Sequence, residues 1–324
     1  CNKKGLIPSS LKIILEKRLM YKDLKNKSTD PSLKNIYDKR QSALKWILVT
    51  SFGYLGFSNA KFGRIDAHIA VCAFARNVLS HTMHIAEDMD FDVLHGIVDS
   101  IWIKKDKATK NDYFKLKDTI ENITEFDISV EGIYKWIAFL PSEINSHVSV
   151  LNRYFGVFED GTLKSRGIET RRHDIPQFIA QCQKEVLKIM SNADSIQDIK
   201  QNKLSLITKK IDVFLSLLKE RKVLHEDLIF TKILSKDYNQ YNDRNTLENS
   251  VLKQLELNGE YLKAGQILRY VITDYDGSLL KRAVPIQLID HRINYDRKRY
   301  SKLLIDTCNT VLKPFGILLD QNQS

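Results

Sequence analysis

Cysteine is scarce in this sequence, and the few cysteines stand far apart. The chain of 324 residues contains four, Cys1, Cys72, Cys182 and Cys308, and no Cys-x-x-Cys pair. This spacing argues against a cysteine-ligated zinc site and against the disulfide framework of a small secreted domain. Cys72 and Cys182 lie in apolar helical contexts, so we expect them to be reduced core residues of a cytoplasmic protein.

Long apolar runs and metal-binding histidine patterns are also missing. No apolar stretch reaches the length of a membrane span, and no signal peptide follows the polar first four residues. We therefore expect no association with a membrane. His81 and His84 are three residues apart without a third ligand nearby, which argues against a metal site there. The start at Cys1, without methionine, predicts a fragment of a longer chain.

The remaining composition is that of a globular protein with an excess of positive charge. Its length of 324 residues is enough for two or three domains or one large lobed unit. Hydrophobic residues make up 43% of the chain and charged residues 28%, which is an ordinary composition for a globular protein. Lysine and arginine number 50 against 40 acidic residues, a net charge of +10. This excess favours a polyanionic partner without specifying one.

Two helices near the N-terminus form the central pattern of the chain. Helical spacing predicts a first helix over Pro8–Lys27 and a second over Ser32–Ser51, joined by a short polar turn as an antiparallel hairpin. Such a hairpin is able to direct Arg18, Lys22 and Lys45 towards one anion. A lysine-rich solvated surface is the alternative, and the residues alone leave both open.

Further elements follow by the same periodicity. We predict a helix over Ile65–Asp88, a strand pair over Asp92–Ile103, a helix over Asn111–Glu125, a strand pair over Ile128–Leu140 with a bend at Gly132, and strands over Val148–Arg172 with a tight turn at Asp160-Gly161. Beyond Asp174 we predict helices over Pro176–Met190, Ser195–Lys222, Leu247–Leu257 and Lys298–Leu312, with a strand over Gly265–Thr273.

Several of these segments, in this order and spacing, resemble the family-B DNA polymerases, and most closely a divergent archaeal and bacterial branch with degenerate catalytic motifs. Arg40-Gln41, Lys45 and Tyr54 match motif B, whose lysine contacts the incoming triphosphate. The motif usually ends in Asn-Ser-x-Tyr-Gly, whereas residues 49–53 read VTSFG. A surface helix with solvated cations is the alternative for this stretch.

The resemblance implies a nucleotide site on the helical hairpin. Arg18 and Lys22 match the Arg-x-x-x-Lys pair on the first helix of the family's fingers domain. With Lys45 they would neutralise the triphosphate of a dNTP. Gln41 and Tyr54 would lie near the nascent base pair or the template.

A basic segment resembles the part of the family that holds the primer duplex. Residues 164–172 read KSRGIETRR and resemble the family's Arg-Gly-x-Glu-x-x-Arg-Arg pattern, with one residue instead of two between Glu169 and the arginine pair. Only two residues match the preceding Lys-Lys-x-Tyr motif. A charged edge strand is the alternative. The resemblance assigns contacts with primer-template DNA to Arg153, Tyr154, Lys164, Arg166, Arg171 and Arg172.

The strand pair over Asp92–Ile103 resembles motif C, which usually reads Tyr-x-Asp-Thr-Asp. The match places Ile97 at the first aspartate and Asp99 at the second. The resemblance makes Asp99 the candidate catalytic residue and metal ligand for Mg²⁺, with Mn²⁺ as a substitute. Isoleucine is unable to ligate a metal, and the other main carboxylates belong to motif A, which would lie upstream. A turn aspartate that binds local backbone is the alternative for Asp99.

The resemblance implies an α+β fold: a helical fingers hairpin over 1–53, a palm with an antiparallel sheet and packed helices over 54–173, and a mostly helical thumb over 174–324. It implies template-directed nucleotidyl transfer by a DNA polymerase, with primer-template DNA and dNTP as partners. The upstream polymerase segment, or a partner chain carrying motif A, would complete the metal site. The alternatives are a catalytically impaired pseudo-polymerase that acts as a DNA-binding or accessory protein, and an unrelated basic RNA-binding protein.

Overall fold

The computed structural model describes residues 5–145, 148–243, 245–290 and 292–320. The chain divides into two compact units, Cys1–Val130 and Glu131–Ser324. Their common boundary lies within the predicted palm. The predicted limits of fingers, palm and thumb remain a prediction.

Over its described residues, the first unit contains four helices and one pair of strands. Its elements are α1 (Leu6–Lys27), α2 (Pro31–Leu55), α3 (Ile65–Asp88), β1 (Asp92–Ile97), β2 (Ser100–Lys104) and α4 (Lys110–Thr124). Strands β1 and β2 pair antiparallel. Each predicted helix and the predicted strand pair in this unit are present.

The hairpin of α1 and α2 is built from local signals and polar contacts. The side chain of Asp30 caps α2 by accepting a hydrogen bond from Ser32 N at 2.8 Å, and Pro31 begins the helix. Between the helices, Lys25 Nζ lies 2.7 Å from an Asp38 carboxylate oxygen, and the guanidinium of Arg40 lies 5.4 Å from the ring centre of Tyr21. These contacts set an antiparallel register.

The core of the first unit is small and lies away from the hairpin. Its buried residues are Ile85, Ala86, Phe91, Leu116 and Ile120. Over the described residues, α1 and α2 bury no side chain completely. Large apolar side chains are exposed along α2 and α3, including Trp46, Ile47, Val49, Phe52, Tyr54, Ile69 and Phe74. The hairpin therefore has no fully buried core of its own in the described residues, although apolar side chains on both helices, such as Ile14, Leu44 and Leu48, are half-buried.

The second unit contains two three-stranded antiparallel sheets and a group of helices. Its elements are β3 (Tyr134–Pro141), β4 (Ser149–Phe158), β5 (Leu163–Arg166), α5 (Gln177–Ser191), α6 (Ile196–Asp198), α7 (Leu204–Lys219), β6 (Phe230–Ile233), α8 (Leu247–Leu257), β7 (Ile267–Ile272), β8 (Ala283–Pro285) and α9 (Arg297–Leu312). The strand orders are β3-β4-β5 and β6-β7-β8. This mixture of helices and small antiparallel sheets confirms the predicted α+β class.

One predicted strand is absent. Residues 125–133 form no strand, so β3 stands alone where a strand pair was expected. Gly132 packs against the ring of Phe158, and a Cβ atom built at position 132 would lie only 2.7 Å from that ring. The side chain of Glu131 instead pairs with Lys164 on β5. The turn at Asp160-Gly161 is present, with Gly161 at φ +84°.

Helices α5, α7 and α9 contribute many buried side chains to the large core of the second unit. Their fully buried side chains include Ile179, Val186, Ile207, Leu304 and Val311. Cys182 on α5 and Cys308 on α9 are buried and reduced, with their sulfur atoms 3.7 Å apart. The prediction of a core cysteine is confirmed for Cys182, whereas Cys72 is only partly buried and Cys1 lies outside the described residues.

Candidate functional site

The antiparallel register of α1 and α2 places the predicted anion-binding cations at neighbouring levels. Tyr21 on α1 lies opposite Arg40 on α2. Because the two helices are antiparallel, Lys45, which follows Arg40 on α2, lies opposite a residue that precedes Tyr21 on α1. That residue is within about one helical turn of Arg18. Lys22 lies about one further turn along α1. Both lysines are exposed, so their ammonium groups are accessible to an anion.

The side chain of Arg18 has an unsatisfied donor. Its Nε atom is buried and has no hydrogen-bond partner, although the side chain as a whole is only partly buried. An unpaired buried donor costs free energy, since the protein replaces none of the hydrogen bonds it made to water. Because this atom is closed to solvent, an anion would contact Arg18 through its terminal guanidinium nitrogens and not through Nε.

The two other predicted nucleotide contacts differ in accessibility. Gln41 is partly buried, and its Nε2 donates to an Asp38 carboxylate oxygen at 2.9 Å and to Ser42 Oγ at 3.0 Å. The hydrogen bond from Lys25, and that from Gln41, hold the pKa of the Asp38 carboxyl below its ordinary value. Tyr54 is exposed near the end of α2, so its ring is open to a flat ligand.

The turn between β1 and β2 presents Asp99 in a strained backbone. Ile97 and Ser100 are paired across the strands, and Val98 and Asp99 form the loop between them. Val98 has φ +55°, a left-handed conformation that is a genuine outlier for a β-branched residue. The carboxylate of Asp99 is exposed and accepts a hydrogen bond of 3.2 Å from Ser100 Oγ. Strain of this kind clusters at functional turns.

The carboxylates near this turn do not suffice for a two-metal site. Within the described ranges, no group of three or more His, Cys, Asp or Glu side chains is able to hold a metal ion. Two Mg²⁺ ions held about 4 Å apart need several shared oxygen ligands. Asp99 supplies one carboxylate, and Ile97 supplies none. The residues present therefore do not fit the complete pair of ions.

Two of the predicted DNA-binding residues, Arg153 and Tyr154, are held against neighbouring parts of the fold. Arg153 donates from Nε to Gly167 O at 3.0 Å, and one of its terminal nitrogens lies 3.5 Å from a Glu169 carboxylate oxygen. Tyr154 is only 1% exposed. A direct contact of its ring with DNA, as the sequence suggested, is therefore not available in this conformation. The ring lies 5.9 Å below the ammonium group of Lys164 and forms the floor under it.

The other four predicted DNA-binding residues are cations at the end of the sheet β3-β4-β5 and in the turn that follows β5. Arg166 and Arg171 are exposed and unpaired within the described part of the chain. Lys164 is partly buried and pairs with Glu131. Arg172 donates from Nε and Nη2 to the two carboxylate oxygens of Asp174 at 2.9 and 2.7 Å, and this bonding holds the pKa of the Asp174 carboxyl below its ordinary value.

A second basic region was not predicted as a site. A cavity of about 500 Å³ lies at the start of α9. The cations that line it are Arg221, Arg297, Lys298, Arg299 and Lys302, accompanied by Asp274, Asp276 and Asp296. The run Asp-Arg-Lys-Arg at residues 296–299 is the sequence signal for it. Asp296 is occupied as the cap of α9, accepting from Arg299 N at 2.9 Å.

No helix among the described residues has both the length and the apolar character needed to cross a membrane.

Comparison with known proteins places this chain in one family. The model of DNA polymerase family B matches residues 1–315. A DNA polymerase of Archaeoglobus fulgidus is 31% identical over 287 residues, which cover 88% of this chain and 34% of that protein. DNA polymerase 2 of Saccharolobus solfataricus is 33% identical over 198 residues, 61% of this chain and 28% of that protein.

A solved structure shares the fold. The family B DNA polymerase of Pyrobaculum calidifontis matches with a TM-score of 0.63 and 24% sequence identity, covering 96% of this chain and 38% of that one. This chain thus spans about a third of the length of the relatives that it matches.

Proposed function

The chain belongs to DNA polymerase family B, and we propose that it supplies the nucleotide-binding and duplex-binding parts of a template-directed DNA polymerase. The reaction would be nucleotidyl transfer from a dNTP to a primer 3′ end. In this proposal residues 1–53 act as the fingers, 54–173 as the palm and 174–324 as the thumb.

The observation that carries the proposal is the geometry of the helical hairpin. The register of α1 and α2 brings Lys45 within about one turn of the level of Arg18. A triphosphate would supply oxygen acceptors to Arg18, Lys22 and Lys45 together. Charge-assisted hydrogen bonds of this type are roughly twice as strong as neutral ones. Tyr54, and Gln41 after release from Asp38, would contact the nascent base pair or the template.

The duplex-binding part is the end of β5 and the turn after it. Arg166 and Arg171 would contact phosphates directly, joined by Lys164 and Arg172 once these exchange their carboxylate partners for phosphate. Contacts of this kind hold the duplex without reading its sequence. Arg153 would share this role through whichever of its donors the fold leaves unused. Tyr154 supports the surface from below.

The chemical step requires carboxylates that these residues do not provide. Asp99 would contribute one oxygen ligand for Mg²⁺ or Mn²⁺, and the metal ions would stabilise the transferring phosphoryl group when bound. The remaining carboxylates would come from an upstream polymerase segment or from a partner chain that carries motif A.

A second candidate function is favoured by one observation. Ile97 occupies the position at which the family usually has a metal-binding aspartate. Within the described ranges, Asp99 belongs to no group of three or more side chains that could hold a metal ion. A protein of this kind would bind DNA as an accessory subunit without polymerising.

Supplying the missing carboxylates distinguishes the two functions. The chain is mixed with a polypeptide that carries motif A, and primer extension is measured for the parent and for Ile97→Asp. Extension by the mixture, increased in Ile97→Asp, supports the polymerase. DNA binding without extension in either mixture supports the accessory role.

A further inference from the structure

The turn that carries Arg171 and Arg172 is too short to hold its own conformation. It is a 3₁₀ segment, Glu169–Arg171, closed by hydrogen bonds from Arg171 N to Ile168 O and from Arg172 N to Glu169 O, each 3.0 Å long. So few hydrogen bonds do not offset the entropy lost in ordering such a segment. Its order must therefore come from contacts with the helices beside it.

The buried side chain of Gln183 makes these contacts. Its Oε1 accepts from Thr170 N at 2.9 Å, and its Nε2 donates to a Glu169 carboxylate oxygen at 2.7 Å and to Thr307 O at 2.8 Å. Gln183 lies on α5, and Thr307 lies on α9. Both amide hydrogens and the carbonyl oxygen of Gln183 are thus used, and one side chain ties the turn to two helices.

Glu169 extends this network to Arg153. Glu169 is only 9% exposed, and one oxygen of its carboxylate lies 3.5 Å from a terminal nitrogen of Arg153. Thr310 Oγ1 on α9 also donates to a Glu169 carboxylate oxygen, at 3.5 Å. A buried carboxylate that lost its donors would be costly, so the position of Glu169 depends on Gln183 together with Arg153 and Thr310. The guanidinium is in turn fixed by its hydrogen bond to Gly167 O.

We propose that Gln183 is a positioning residue for phosphate binding: it holds the Glu169–Arg171 turn in place before DNA arrives. This inference rests on the proposed duplex binding. The phosphate contacts themselves come from Arg171 and Arg172, whereas Gln183 touches no phosphate. A turn ordered in advance spares the complex the entropy of ordering it on binding, so the affinity is higher.

A shape-conserving substitution tests the proposal. Gln183→Glu places a second carboxylate beside Glu169 and loses both amide donors. We expect duplex DNA to bind about tenfold more weakly, with the slope of log K against log salt smaller by about 1 to 2, which corresponds to one or two lost phosphate contacts. Gln181→Glu is the matched control. Gln181 is exposed on the same helix, and its side chain bonds only Glu185 among the residues that the structure describes. The same charge change there should leave the slope unchanged.

A swapped pair separates positioning from general damage. In Glu169→Gln with Gln183→Glu, an amide and a carboxylate again face each other with exchanged positions. We expect this double variant to recover part of the lost affinity and slope. If Gln183→Glu folds, by near-ultraviolet circular dichroism, and binds DNA with the parent's affinity and slope, the proposal is overturned.

Hydrogen exchange on the unmodified chain gives a test that needs no variant to fold. The amides of residues 170–172 should be protected in the absence of DNA, because the turn is already ordered. Rapid exchange that slows only when a duplex is added would overturn the proposal. Failure of the parent chain to bind duplex DNA at all would instead refute the proposed function, while the protection of the turn would still be measurable.

Discussion

Lys45 is the residue at which the nucleotide site is most open to test. It is exposed on α2 and forms no ion pair within the described part of the chain. A charge-assisted contact with a triphosphate contributes roughly 1.5–3 kcal/mol. We therefore expect Lys45→Ala to weaken dNTP binding by about tenfold or more, measured by isothermal titration calorimetry, and to leave duplex binding nearly unchanged.

Lys39→Ala is the control for this variant. Lys39 is also exposed on α2, but six positions earlier and on a different face. It should bind dNTP like the parent. Equal dNTP affinity in Lys45→Ala and the parent would remove the assignment.

Asp174 gives the basic segment a dependence on pH. The hydrogen bonds from Arg172 lower the pKa of the Asp174 carboxyl in the folded state. The ionised Asp174 carboxylate therefore adds to the free energy of unfolding above about pH 3.9, the ordinary pKa of aspartate. This contribution is lost as the pH falls through the lower pKa of the folded state. The free energy of unfolding of the parent should exceed that of Asp174→Asn at neutral pH, and the difference should shrink in acid. Urea titrations at several pH values measure it, and a difference that does not change with pH would count against this account.

At the scale of elements, the β1–β2 turn stores backbone strain. A left-handed conformation costs a side chain such as valine roughly 1–2 kcal/mol, whereas asparagine adopts it readily. Val98 is 75% exposed, so its replacement loses little packing. We expect Val98→Asn to raise the free energy of unfolding by about 1 kcal/mol in a urea titration. Val148→Asn, at another exposed valine without positive φ, should stay within about 0.5 kcal/mol of the parent. A destabilised Val98→Asn would show that the turn is not strained.

Periodicity predicted most helices of this chain but not every strand. The spacing of apolar residues over Ile65–Asp88 and Leu247–Leu257 fixes both helices as observed, because helical hydrogen bonds are local. The segment Ile128–Ile133 has strand-forming residues yet forms no strand. A strand needs a partner, and β3 pairs only with β4. No local pattern reveals which neighbours a segment will have.

The candidate site was predictable where it depends on local order and not where it depends on burial. The hairpin and the turn at Asp99 follow from the sequence. The burial of Tyr154 does not, because residues 154–157 are all buried and β4 therefore shows no alternation. The contact between Arg153 and Glu169, 16 positions apart, likewise depends on the packing of the sheet against the following turn.

At the scale of the whole molecule, the excess of cations should appear as a salt dependence. Each phosphate contact releases counterions, so log K for duplex binding should fall with log salt by about 0.9 per contact. Arg171→Ala should reduce this slope by about 0.9, measured by fluorescence anisotropy. Arg292→Ala is the control, since Arg292 is exposed and lies outside the proposed duplex-binding segment at the end of β5. A salt-independent affinity, or a strong preference for one sequence, would contradict phosphate binding.

The central claim is that this chain binds the substrates of a polymerase but lacks the carboxylates for the chemical step. In the proposed match to motif C, Asp99 is the remaining aspartate and Ile97 stands at the position of its partner. One carboxylate is unable to hold two Mg²⁺ ions against their mutual repulsion. The most direct test is primer extension by the chain alone, with Mg²⁺ and with Mn²⁺, at a protein concentration that saturates a labelled primer-template. We expect the primer-template to be bound and the primer to stay at its original length. Robust extension by the isolated chain would contradict the claim and show that other acids, such as Glu131 or Glu169, reach the metal ions.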